Sequence, residues 1–210
     1  MPADSMKISL ENISKRFQKH RIFKDISYSF TTPGSYAILG ANGSGKSTLL
    51  RIIAGMQNPS AGKVLYGNDN GTIEIDKIFS HISFTAPGQD IVEELTLHEF
   101  LTFHFSFKKT LKGLSVVEII KIIGLEAFTN KPIGDYSSGM KQRVKLAQAI
   151  FADTPILLLD EPCTNLDQQG IEQYTSWIEK YTKDRLVIVA SNDVREYFFC
   201  RETIAIENYK

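Results

Sequence analysis

The sequence predicts an α/β fold: a mostly parallel sheet core, antiparallel strands at the N-terminus and an inserted α-helical lobe. Three observations point there. Short apolar runs at Ser35–Leu39, Ile156–Leu159 and Leu186–Ala190 read as buried strands, too short and too uniformly apolar to face water on one side. Stretches with apolar residues at helical spacing separate them. From about Leu97 to Phe151 the periodicity is mostly helical, which places a lobe of about residues 88–151 between core segments of about 1–87 and 152–210 of a single 1–210 domain.

The first segment, Lys7 to about Phe30, reads as β-structure. Ile8, Leu10 and Ile13 precede a basic turn, and Ile26, Tyr28 and Phe30 alternate with polar residues. After the Ser35–Leu39 strand, Leu49, Ile52, Ile53 and Met56 recur at helical spacing. Asn58–Gly62 is a turn. Val64–Tyr66, Ile73–Ile75 and Ile82–Thr85 are short strand candidates. Within the lobe, Val116, Val117, Ile119, Ile120 and Ile123 cluster. Phe100, Phe103, Phe105 and Phe107 read first as core and alternatively as a docking groove. Ile171, Tyr174, Ile178 and Tyr181 mark the inner face of a later helix. Thr203–Ile206 reads as the last strand.

Composition narrows the class. The 210 residues are 42% hydrophobic and 23% charged, as in ordinary globular proteins, and the formal net charge is zero. A neutral chain offers no broad electrostatic surface for nucleic acid, so no nucleic-acid partner is expected. Cys163 and Cys200 lack metal-ligand spacing and read as small buried side chains in a reducing compartment. No targeting segment is expected in Met1–Lys7, and no apolar run approaches the ~20 residues of a membrane-spanning helix.

The chemistry concentrates at strand ends, where ligands of open α/β sheets bind. Gly40-Ala41-Asn42-Gly43-Ser44-Gly45-Lys46-Ser47-Thr48 fits the phosphate-binding pattern G-x-x-x-x-G-K-[ST]. Its glycines let backbone N–H groups surround an anion. Lys46 is placed to reach the β- and γ-phosphates, and the Ser47 hydroxyl to ligate Mg²⁺. The following helix adds a partial positive charge at its N-terminus. Asp160 and Glu161 close the Ile156–Leu159 strand, where a P-loop enzyme places a carboxylate for Mg²⁺. Asp160 is the metal candidate, and Glu161 the group that orients or deprotonates an attacking water. Tyr136-Ser137-Ser138-Gly139-Met140-Lys141-Gln142-Arg143 opens a helix whose apolar face is Met140, Val144, Ala147 and Phe151. Alone, it reads as an N-cap by Ser137 or Ser138.

In this order, phosphate loop, helical lobe, YSSGMKQR, ILLLDEP and then CTNLD, the motifs resemble the ATP-binding cassette (ABC) ATPase family of P-loop NTPases over essentially the whole chain. YSSGMKQR is similar to the family signature LSGGQ-x-QR. ILLLDEP and CTNLD are similar to its magnesium-binding strand, catalytic glutamate and D-loop. The resemblance implies ATP and Mg²⁺ as ligands and two cassettes packed head to tail, as a homo- or heterodimer. Each ATP would lie between the phosphate loop of one and the signature of the other. It assigns Ser137, Gly139 and Asp167 to the shared nucleotide site and gives Phe17 the place of an adenine-stacking aromatic, against a reading as strand core.

Three positions depart from the family pattern. The switch histidine after Leu186–Ala190 is Asn192, which hydrogen-bonds phosphate but carries no proton. The glutamine that touches Mg²⁺ near the start of the lobe falls at Ala86 or Pro87, with Gln89 a little later as its candidate replacement. The signature has Ser138 for glycine, costly if φ is positive there, and Met140 for glutamine.

The expected function is the ATP-hydrolysing subunit of an ABC transporter. It would be peripheral on the cytoplasmic face of the membrane and docked through Gln89–Phe107 onto separate transmembrane subunits. Compact chains of this kind also resemble the ATPase of haem-export systems for cytochrome c maturation. The alternatives are a degenerate ATP-binding switch with weak hydrolysis, favoured by Asn192, and a non-transport ABC ATPase. An unrelated P-loop kinase would leave YSSGMKQR unexplained.

Overall fold

A computed structural model describes residues 5–210, so positions 1–4 of the Met1–Lys7 segment lie outside the described residues. Two sheets form the frame. The first is antiparallel, in the order β2 (His20–Thr31), β1 (Lys7–Phe17), β4 (Ala61–Asn68), β5 (Gly71–Ile73). The second is parallel throughout, in the order β6 (Ile82–Thr85), β7 (Ile156–Asp160), β8 (Leu186–Ala190), β3 (Gly34–Leu39), β9 (Glu202–Ala205). Every residue of β7 and β8 is buried, which is why these strands read as unbroken apolar runs.

α1 (Lys46–Ile53), α2 (Leu97–Phe107), α3 (Val116–Ile122), α4 (Ser138–Ile150), α5 (Gln168–Tyr181) and the short α6 (Val194–Tyr197), with four 3₁₀ turns, complete the described residues. α2 and α3 both begin with a capping box, Thr96 with Glu99 and Ser115 with Glu118. One apolar cluster joins α1 to the antiparallel sheet and the near face of the parallel sheet. The other joins α2–α5 to the opposite face through Leu157, Leu159, Val187 and Val189. α4 belongs to this second cluster, so packing runs continuously past residue 151.

Several sequence expectations need correction. α1 stops at Ile53 because Gly55 turns left-handed (φ 72°), and Met56 is 61% exposed instead of extending the inner face. β5 ends at Ile73, and Ile75 opens a 3₁₀ turn with its side chain exposed. Ile206 likewise begins a 3₁₀ turn beyond β9. Of the four phenylalanines, Phe100 is core and Phe105 packs partly against it. Phe103 and Phe107 sit four apart on α2, stacked edge to face and 56% and 76% exposed. Phe17 is no core residue either: it ends β1 with 48% exposure and Lys15 over its ring. Cys163 is buried, but Cys200 is only half-buried; both are free. Among the described residues, no helix is long and apolar enough to cross a membrane.

Candidate nucleotide site

The phosphate loop leaves β3 and turns into α1 at Gly45, whose φ is 111°. A Cβ there would lie 2.4 Å from Ile22 Cγ2, so both conformation and space require glycine. Gly43 (φ 76°) faces open space, so conformation alone favours glycine there. Lys46, nearly buried, donates from Nζ to the carbonyls of Gly40 (2.8 Å) and Ala41 (3.2 Å). Its ammonium is thereby held across the mouth of the loop. Ser44 is buried, with its hydroxyl unpartnered among the described residues, and Thr48 is half-buried in the first turn of α1.

β7 delivers Asp160 to the same place. The Ser47 hydroxyl donates to Asp160 Oδ1 at 2.9 Å. Burial holds the Asp160 carboxyl above the ordinary carboxylate range, partly offset by that hydrogen bond. A hydroxyl and a carboxylate in contact are hard oxygen donors that suit Mg²⁺, which takes one or two protein ligands and completes its shell with phosphate and water. Among the described residues no cluster of three or more His, Cys, Asp or Glu side chains is placed to hold a metal by itself. The pair therefore fits an ion held jointly with a nucleotide.

Glu161 follows directly, in the left-handed region at φ 43°. A non-glycine residue there costs on the order of 1–3 kcal/mol, and such strain clusters at functional sites. Its N–H donates to Ala190 O, and its carbonyl accepts from Thr164 N and Oγ1. From the end of β8, Asn192 Nδ2 donates to Asn42 Oδ1 at 3.2 Å. Glu161, Asn192 and Asn42 line one shallow, polar cavity of about 250 Å³.

The remaining predicted residues divide. Ser137 caps α4, its hydroxyl accepting from Met140 N–H; Ser138 is the first helical residue and has no positive φ, which removes the backbone objection to it. A Cβ on Gly139 would meet Asn165 O at 3.0 Å, so the signature-like turn lies against the CTNLD segment of the same chain. Gln142 ties them further, donating from Nε2 to Pro162 O. Asp167 caps α5 by accepting from Gly170 N–H. No hydrogen bond joins residues 136–143 to residues 40–48 among the described residues. Gln89 lines a different recess, an apolar groove with Met56, Ile75, Phe79, Phe84 and Gln148, and has no hydrogen bond to Ser47 or Asp160.

Sequence reasoning missed three supports of this site. Glu207 Oε1 accepts from Ala41 N–H at 2.8 Å, and Lys210 donates to Ser44 O at 2.7 Å, bracing the phosphate loop from the chain's last 3₁₀ turn. Glu196, buried in α6, accepts from Cys163 N–H. No linear pattern links partners 33 to 166 residues apart.

The family model described as ABC transporter matches residues 23–164, from β2 to just beyond the end of β7. The chain belongs to the ABC transporter family. This cassette is 32% identical over 95% of its length to an uncharacterized ABC transporter ATP-binding protein of Bacillus subtilis, of which it spans 66%. It is 33% identical to a probable sulfate/thiosulfate import ATP-binding protein of Chlorella vulgaris, covering 98% of the cassette and 89% of that protein. A bacterial ABC transporter cassette solved as a dimer superposes with a TM-score of 0.80 at 25% identity, over 95% and 94% of the two chains. A post-hydrolysis dimeric cassette bound to ADP and Pi superposes at 0.81, also at 25% identity. The P-loop α/β fold of this family, with a parallel core and N-terminal antiparallel strands, is the fold observed.

Proposed function

We propose that this cassette is the ATP-hydrolysing subunit of an ABC transporter, driving separate transmembrane subunits from the inner face of the membrane. The observation that carries the reading is the Ser47–Asp160 contact at 2.9 Å with Glu161 next in the chain: a metal-ligand pair beside a carboxylate in a strained backbone state. The relatives support it. Two of them, named for different cargo, sulfate/thiosulfate and spermidine/putrescine, are both import ATP-binding proteins.

In this reading the phosphates lie along the N-terminus of α1, where free N–H groups and Lys46 stabilise their charge. Phe17, 48% exposed at the end of β1, stacks on the adenine. Ser47 and Asp160 would hold Mg²⁺, which when bound would offset the phosphate charge. Glu161 orients the attacking water and accepts its proton as the oxygen bonds to phosphorus. Asn192 donates an amide N–H toward the transferring phosphoryl oxygens and holds the phosphate loop through Asn42. The bond from the attacked phosphorus to the β–γ bridging oxygen breaks, its electron pair staying on ADP, and phosphate and ADP are the products.

Because Ser137 and Gly139 share no hydrogen bond with their own phosphate loop, they serve the nucleotide of a second cassette. That second cassette is another copy or a related chain, and the nucleotide is buried between the two. The groove beside Gln89 serves the membrane subunits. It measures about 300 Å³, and two buried polar atoms on it lack partners among the described residues, Gln89 Oε1 and Gln148 Nε2. Buried polar groups are normally hydrogen-bonded, so an incoming segment with an amide to offer both would satisfy them. Gln89 thus serves docking rather than the metal. In this scheme residues 88–151 are the lobe that moves with the partner.

The test is sedimentation of Glu161→Gln with saturating MgATP. A dimer that dissociates when ATP is replaced by ADP supports the reading. Monomer alone at high protein concentration, alone and with the membrane subunits, contradicts it.

A further inference from the structure

We infer that Glu196 is a positioning residue for hydrolysis, locking the turn that carries Glu161 and the segment that carries Asn192 into one register. The inference rests on the ATPase reading above. Glu196 lies on α6, 4% exposed, and both carboxylate oxygens are engaged. Oε1 accepts from Cys163 N–H at 2.7 Å, and Oε2 accepts from the Ser191 hydroxyl. Its own carbonyl accepts from the hydroxyl of Tyr174, the fully buried aromatic of α5, at 2.7 Å.

These contacts fall at the two strand exits that form the site. Cys163 N–H belongs to the turn after β7 in which Glu161 is held at positive φ, closed by Thr164 donating to the Glu161 carbonyl. Ser191 is the first residue after β8, its N–H donating to Ile38 O, and it leads directly to Asn192. One carboxylate therefore spans from the general-base turn to the segment that touches Asn42. The Cys163 end continues into the CTNLD segment against Gly139, so the brace extends to the face meant for a second cassette.

The carboxylate does this without a cation. Among the described residues no salt bridge includes Glu196, and the nearby Arg195 guanidinium is taken by Asp193. Burying a charged group with no opposite charge is costly, so what this residue supplies is acceptor geometry at two fixed points. Burial accordingly raises its carboxyl above the usual range.

The geometry dictates the test. Glu196→Ala leaves Cys163 N–H buried without an acceptor and removes the carboxylate that the Ser191 hydroxyl donates to, leaving Ser191 its contacts with Asp193. Glu196→Gln keeps an oxygen for Cys163 N–H and presents an NH₂ to the Ser191 oxygen. Turnover and ATP affinity are measured on the full chain for both, with amide exchange of the 161–165 segment without nucleotide. A misplacement of about 1 Å costs up to about 100-fold in rate, so Glu196→Ala is expected to lose about 10- to 100-fold in kcat with ATP Kd within about threefold, and Glu196→Gln to recover most of it. Faster exchange at Cys163 in the alanine variant, restored in the glutamine variant, is expected alongside. A merely structural role would lower Tm and leave kcat of the folded protein unchanged. Wild-type kcat in Glu196→Ala, or a glutamine variant no better than alanine, overturns the inference. If Glu196→Ala does not fold, Ser191→Ala removes one of the two bonds; a partial loss of kcat at unchanged Kd supports the inference and an unchanged kcat overturns it. Should the wild type show no turnover at all, the ATPase reading fails by itself, and the exchange data alone decide whether Glu196 holds the turn.

Discussion

Asn192 Nδ2 lies 3.2 Å from Asn42 Oδ1, joining the exit of β8 to the phosphate loop through two side chains that do not titrate. A histidine at position 192, the residue the family pattern would place there, would bring a group with an ordinary pKa near 6.5 to the same spot. Asn192→His is therefore expected to add an inflection near about pH 6.5 to the kcat profile, measured as the difference from wild type so that the other histidines cancel. Superimposable profiles would place residue 192 outside the reacting region.

Lys46 donates to two loop carbonyls and is the one basic residue in the 40–48 segment. Hydrogen bonds to charged groups contribute about 1.5–3 kcal/mol, so Lys46→Ala is expected to weaken ATP binding by about 10- to 100-fold. Fluorescent-nucleotide titration, with circular dichroism to confirm folding, measures it. Unchanged affinity refutes the phosphate-loop assignment.

Asp160 tests a trade between function and stability. Its folded-state pKa is raised by burial, so the folded protein binds its proton more tightly than the unfolded chain does. That contribution favours folding below the ordinary value of 3.8 and is lost as pH rises through the folded value. At neutral pH the charge is thus a cost. Asp160→Asn keeps an acceptor for the Ser47 hydroxyl and removes that cost. It is expected to raise the nucleotide-free Tm at pH 7, by about 2–4 °C per kcal/mol relieved, while abolishing Mg²⁺-dependent turnover. The Tm difference should shrink toward pH 4. A lower Tm at pH 7 would show that Asp160 is stabilising the fold.

Much of this site was legible because its parts are short and linear. The phosphate loop, Asp160–Glu161 and the α4 cap each lie within nine residues of sequence, and strands buried on both faces announce themselves as apolar runs. What escaped reading depends on tertiary placement. Helical spacing carried the inner face on to Met56 because Gly55, which ends the helix, is one residue in an otherwise regular pattern. Phe103 and Phe107 looked like core because apolarity does not say which side of α2 is covered. Gln89 looked like a metal ligand by its position in the chain, and its groove exists only once β6, α2 and the 3₁₀ turn after β5 are assembled. Glu196 carries no local signal at all, since its partners come from the turn after β7, the exit of β8 and α5.

The central claim is that this chain hydrolyses ATP with Glu161. Phosphate release with MgATP, wild type against Glu161→Gln, tests it most directly. The wild type is expected to release phosphate and the variant to release none, with ATP still bound. Equal release from both, or none from an ATP-bound wild type even with its membrane subunits, would contradict it.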